Sequence, residues 1–73
     1  LKYRDLRKIL RRFDVIEDVA RGKGSHRIFF RIDIDGNKTS FPIPCHNEGY
    51  EIHAYFVRRI REVFRITCEE FYG

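Results

Sequence analysis

Apolar residues in the first part of the chain recur three and four apart. Tyr3, Leu6, Ile9, Leu10 and Phe13 fill one face of a helix over the first twelve or so residues, and basic side chains cover the rest. No Gly or Pro interrupts this run, and Asp14 is its expected stop. Val15 to Arg21 reads as a strand of imperfect alternation, with Val15, Ile16, Val19 and Ala20 as its apolar members. Gly22-Lys23-Gly24 must turn, because two glycines reach positive φ at little cost. The clearest pattern follows. Ile28, Phe30, Ile32 and Ile34 alternate with Arg27, Phe29, Arg31 and Asp33, which predicts a half-buried strand with the even positions inward and Phe29 outward. Asp35-Gly36 is a hairpin signal. Lys38 to Ile43 is the return strand, with Thr39, Phe41 and Ile43 on one parity. Pro42 and Pro44 lack amide donors, so this strand lies at an edge or frays at its end. Cys45 to Gly49 is a loop. A second helix runs from about Ile52 to Ile66, with Ile52, Phe56, Ile60, Val63 and Phe64 on one face and Arg58, Arg61 and Arg65 on the other. Thr67-Cys68-Glu69-Glu70 has the form of a capping box and opens a short last turn carrying Phe71.

The order is therefore helix, strand, strand, strand, helix, short helix. Three antiparallel strands leave one face for two amphipathic helices to cover, which gives an α+β two-layer sandwich over a single domain, residues 1–73. Double-stranded-RNA-binding domains have the same order. That likeness hints at RNA by analogy alone, since a fold does not dictate a function.

Composition narrows the field. In 73 residues an aromatic share of 15% argues for a packed core and against disorder, and the length excludes a nucleotide-binding fold or a large substrate cavity. Any catalysis must sit on an open surface. No apolar run is long enough to span a bilayer and no secretory signal is visible, so the expectation is a cytoplasmic protein with no membrane partner. Cys45 and Cys68 then read as free thiols. The chain contains no Met, which predicts that Leu1 is not the native start. The net charge of +4 permits a polyanionic partner. Charge also comes in blocks. Lys2, Arg4, Arg7, Lys8, Arg11 and Arg12 are followed by acidic Asp14, Glu17 and Asp18, and then by Arg21, Lys23, Arg27 and Arg31. Such blocks form solvated faces, and the two basic ones can also make a phosphate footprint.

Gly24-Ser25-His26 stands out chemically. His26 follows a glycine turn and opens the best strand, and imidazole moves protons near neutral pH. Arg21, Lys23, Arg27 and Arg31 lie close in sequence, and cations beside a general base suit a phosphodiester. The glycines let a phosphate approach backbone amides. The plainer reading makes His26 an ordinary strand residue, sharing its parity with Ile28 and Phe30. His46 is either a second acid or base or a solvated loop residue, and His53 reads as structural or exposed. Cys45, His46, His53 and Cys68 have no paired metal-ligand spacing, so no metal site is expected. Phe29, between Arg27 and Arg31, can stack a base or pack beneath a neighbour. No phosphate-binding Gly-x-x-x-x-Gly-Lys loop and no Gly-x-Ser-x-Gly elbow is present.

Gly22-Lys23-Gly24-Ser25-His26 followed by Ile28 and Phe29, the run Phe41-Pro42-Ile43-Pro44-Cys45-His46, the arginine-bearing stretch Ile52 to Ile66 and the ending Ile66 to Phe71 together resemble the HicA toxin family. The resemblance extends from about Leu6 to Phe71. One departure is the lack of a Gly before Gly22, where many members have a Gly-aromatic pair entering the first strand. The resemblance implies an RNA-binding-domain-like fold, a messenger-RNA-cleaving toxin, catalysis by the residue at His26, and neutralisation by a HicB-like antitoxin that covers the active surface.

The reading that follows is a metal-independent endoribonuclease without cofactors. His26 takes a proton from a ribose 2′-hydroxyl, and Lys23, Gly24, Ser25, Arg27 and Arg31 bind the RNA. His46 is the candidate second acid or base. The alternatives are a non-catalytic RNA-binding module and a protein-interaction domain whose basic surface meets an acidic partner.

Overall fold

The computed structural model describes residues 1–21 and 24–73. Its elements are α1 (Tyr3–Arg11), β1 (Ile16–Glu17), β2 (His26–Ile32), β3 (Lys38–Pro44), α2 (Ala54–Val63) and α3 (Cys68–Tyr72). The strands form one antiparallel sheet in the order β1-β2-β3. This is the α+β architecture that the hydrophobic pattern predicts, with β3 as an edge that can carry Pro42 and Pro44. β1 is much shorter than the expected strand from Val15 to Arg21. Only Ile16 and Glu17 pair with β2, opposite Phe30 and Phe29, and the chain then turns through an Arg21 N–H to Asp18 carbonyl bond.

One core holds the layers together. Tyr3, Leu6 and Leu10 of α1 and Val57 and Ile60 of α2 pack with Phe29 of β2 and Ile43 of β3. Val15, Cys45, Ile52, Phe64, Ile66 and Phe71 complete it. The N-terminus is tied to the entry of α2. Tyr3 donates its N–H to the Tyr50 carbonyl and Ile52 donates to that of Leu1, each at 2.8 Å.

Both long helices end in the same way. Asp14 (φ 61°) and Arg65 (φ 56°) adopt the left-handed conformation. The following N–H groups, of Val15 and Ile66, reach back to the carbonyls of Leu10 and Arg61. This is the Schellman closure, usually made with glycine. The capping box at Thr67 forms as its sequence predicts, with the Thr67 hydroxyl accepting from the Glu70 N–H and Glu70 accepting from the Thr67 N–H.

The facing of β2 is opposite to the expected one. Phe29 is fully buried against the helices, its ring centroid 5.7 Å from that of Tyr3, whereas Ile32 is 59% exposed and Ile34 lies wholly exposed in the hairpin turn. Arg27 and Arg31 explain the reversal. They share the helix-facing side with Phe29, and each has a polar destination there. Arg27 reaches Glu17, and Arg31 reaches the carbonyls of Phe13 and Phe64 just beyond the ends of α1 and α2. A helix C-terminus carries partial negative charge and unpaired carbonyls, so it accepts a guanidinium at the margin of a core. The other side of the sheet carries Ile16, Ile28, Phe30, Ile32 and Pro42, all at least partly exposed. It is the open face.

Candidate active site

His26 is the first residue of β2 and is exposed. Alternation along the strand puts it on the open face with Ile28 and Phe30, so its parity leads to solvent and not into the core. Gly24 precedes it at φ +57°, and a Cβ added there would meet nothing within 4 Å. Glycine is thus suited to this turn by conformation, not by space. Ser25 is half-buried, and its carbonyl accepts the N–H of Cys45. That bond continues the β2–β3 ladder, in which His26 faces Pro44. It also brings the start of the Cys45–Gly49 loop alongside the Gly24-Ser25 turn.

His46 belongs to this loop. It is exposed and packs edge-on against Tyr50, with ring centroids 4.9 Å apart. Chain register therefore sets His46 two residues beyond the partner of His26. Gly22 and Lys23 lie outside the described residues, and with them part of the expected phosphate-binding turn. His53 has a structural use. It is the N-cap of α2, and its Nδ1 accepts the Tyr55 N–H at 3.0 Å.

Arg27 and Arg31 are on the opposite side of the sheet from His26. Arg27 lies 3.4 Å from Glu17 Oε2 and 5.4 Å from the Tyr3 ring centroid. With Arg7, Lys8, Arg11, Glu17 and Glu48 it lines a groove between α1 and β1. Glu17 is the centre of a network that sequence reading missed. It accepts the Tyr3 hydroxyl and pairs with both Arg27 and Arg7. Burial and donation to Glu17 drive the Tyr3 hydroxyl well above its ordinary pKa. Burial likewise pushes the Cys45 thiol up, partly offset by Arg27. Nothing in an acidic block of sequence marks Glu17 as the partner of a tyrosine fourteen residues away.

The cations on the open face are others. Arg21 places Nη1 3.2 Å from Ser40 Oγ, and Lys38 places Nζ 4.5 Å from the Phe30 ring centroid. Arg21 was legible as part of a basic block, but Lys38 was not singled out, because its position depends on hairpin register. Both cysteines are free thiols, and no three His, Cys, Asp or Glu side chains among the described residues are grouped to hold a metal ion. No helix is long and apolar enough to cross a membrane among the described residues.

Residues 3–66 match the sequence model of a family described as the HicA toxin of bacterial toxin–antitoxin systems. The chain belongs to the HicA toxin family. The match runs from the start of α1 through the end of α2 and so includes the turn, His26 and the loop bearing His46. No curated protein and no solved structure matches the chain significantly. Membership makes this HicA-family chain a toxin of a toxin–antitoxin system.

Proposed function

We propose that this HicA-family toxin is an endoribonuclease that cleaves messenger RNA in the cytoplasm, with His26 as catalytic residue and no metal in the reaction. The observation that carries the reading is the exposure of His26 at the head of β2, beside a glycine turn, in a chain of a toxin family. The His26 imidazole accepts the proton of a ribose 2′-hydroxyl. The 2′-oxygen attacks the adjacent phosphorus, the bond to the 5′-oxygen breaks, and a 2′,3′-cyclic phosphate forms. The departing 5′-oxygen takes a proton, for which His46 is the proposed donor. Gly24 and Ser25, with Lys23, hold the phosphate. Arg27 and Arg31 keep the strand that carries His26 in place from the other side of the sheet. General acid–base help of this kind supplies about 10²–10⁴-fold, which makes a slow enzyme. A toxin that inactivates long messages needs few cuts. A HicB-like antitoxin neutralises the protein by covering the face that bears His26.

The test is cleavage of RNA by the purified protein beside His26→Ala, both in EDTA, with a DNA oligomer of matching sequence as control. Cleavage of RNA by the parent alone supports the reading. Cleavage of the DNA as well would exclude attack by a 2′-hydroxyl. Salt-sensitive RNA binding without cleavage by either protein would favour a non-catalytic RNA-binding module.

A further inference from the structure

The open face has a definite polar layout centred on Phe30. Its ring is half-buried in the middle of the sheet, opposite Ile16 of β1 and Ser40 of β3. Lys38 lies over the ring, with Nζ 4.5 Å from the centroid. Arg21 stands on the β3 side, its guanidinium 3.2 Å from the Ser40 hydroxyl. The Lys38 ammonium covers a π face of the Phe30 ring. Asp18, 3.7 Å from Lys38, is the carboxylate paired with that ammonium. His26 lies on the same face, four residues along the same strand and so about 13 Å away, with Ile28 between them.

We propose that this face is a platform for single-stranded RNA, on which a base stacks against Phe30 while Arg21 and Lys38 take the neighbouring phosphates. The inference rests on the ribonuclease reading above and names the form of its substrate. A base has a flat apolar face and carries its phosphates to either side, so a base stacked on Phe30 takes the place of the Lys38 ammonium and leaves Lys38 and Arg21 to meet the phosphates. The base must be unpaired, because a duplex hides base faces in its own stack and offers grooves and backbone instead. Ile16 and Ile28 extend the apolar floor, and the line from Phe30 to His26 leads the strand toward the reactive imidazole. Aliphatic side chains here also suit a protein partner. Charge complementarity favours the polyanion, since Lys38 sits at the aromatic ring and Arg21 at Ser40, the residue opposite Phe30.

The experiment measures the binding of a 2′-O-methyl RNA dodecamer, which lacks the attacking hydroxyl, to the parent, Phe30→Ala, Phe30→Leu and Phe30→Tyr. The same strand annealed to its complement serves as the duplex probe. Phe30→Ala and Phe30→Leu are expected to weaken single-strand binding about tenfold, and Phe30→Tyr to retain it. The parent should prefer the single strand over the duplex. Lys38→Gln and Arg21→Gln should each lower the slope of log affinity against log salt by about 0.7. Leucine binding as well as phenylalanine, or equal affinity for duplex and single strand, would overturn the platform. In that outcome, RNA cleavage that still depends on His26 would leave the ribonuclease reading intact and give the face to a protein partner. Absence of RNA binding and of cleavage in the parent would overturn both.

Discussion

The Arg31 guanidinium donates to the Phe64 carbonyl at 2.8 Å while lying 5.4 Å from the centre of the same residue's ring. One side chain of β2 thus closes the backbone at the end of α2 and packs on its last aromatic residue. A second bond, to the Phe13 carbonyl, brings in the end of α1. Hydrogen bonds from a charged donor contribute more than neutral ones, and losing this one leaves carbonyls unpaired. Arg31→Ala is expected to destabilise the fold by about 2 kcal/mol. Urea unfolding measures it. RNA cleavage per folded molecule should change little. A variant of parental stability that no longer cleaves would return Arg31 to the RNA-binding set.

His26→Ala should have the opposite profile. An exposed side chain at a strand end contributes little packing, so stability should stay within about 0.5 kcal/mol. Cleavage should fall about 10²–10⁴-fold. Paired unfolding and cleavage assays on one preparation separate the two effects, and a large loss of stability would make the histidine a structural residue.

Glu17 should behave like a core residue despite its charge. Glu17→Ala leaves the Tyr3 hydroxyl and two guanidinium groups without their common carboxylate. The expected cost is about 2 kcal/mol, and Tyr3→Phe should recover part of it when added to Glu17→Ala. Strict additivity of the two changes would show that they do not interact.

The capping box gives a pH signature. The Glu70 carboxylate accepts the Thr67 backbone N–H, and this bond, with the Thr67 hydroxyl nearby, lowers its pKa from the ordinary 4.5, while that hydroxyl accepts the Glu70 N–H. A lowered folded pKa contributes stability that is present above the unfolded value and lost as pH falls through the folded one. The thermal midpoints of the parent and Glu70→Gln should therefore differ at pH 7 and converge below about pH 4.5. Thr67→Ala, which removes the N-cap oxygen, should cost about 1 kcal/mol at neutral pH.

Arg65 holds φ 56° without being glycine. Arg65→Gly should stabilise the protein by about 0.5–1 kcal/mol, because the left-handed conformation costs a side-chain-bearing residue more than it costs glycine. A lower thermal midpoint for Arg65→Gly would mean that the Arg65 side chain contributes more than its backbone conformation costs.

The element order, the hairpin and the capping box were legible because each depends on neighbours in sequence. The facing of β2 was not. Ile28, Phe30 and Ile32 form a better apolar row than Phe29 flanked by two arginines, so period alone chooses the wrong side. What decides it is the supply of acceptors for Arg27 and Arg31, and Glu17, Phe13 and Phe64 provide those only after the chain has folded. The β3 parity was readable because Thr39, Phe41 and Ile43 carry no charge that needs a distant partner. The face on which His26 lies could not be read from its setting, and Lys38 became visible only through the pairing of β2 with β3.

Pro42 and Pro44 also limit how the protein can associate. They interrupt the free side of β3, and the opposite margin of the sheet is the two-residue β1. A strand added at β3 would find no N–H at either proline, and one added at β1 would find too short a ladder to hold it. Self-assembly through continuous sheets is therefore blocked at both margins. A protein partner must then meet the sheet across side chains. Recognition of this toxin is then written in residue identities on one face, where single substitutions can tune it, and not in the backbone pairing that any extended chain could imitate.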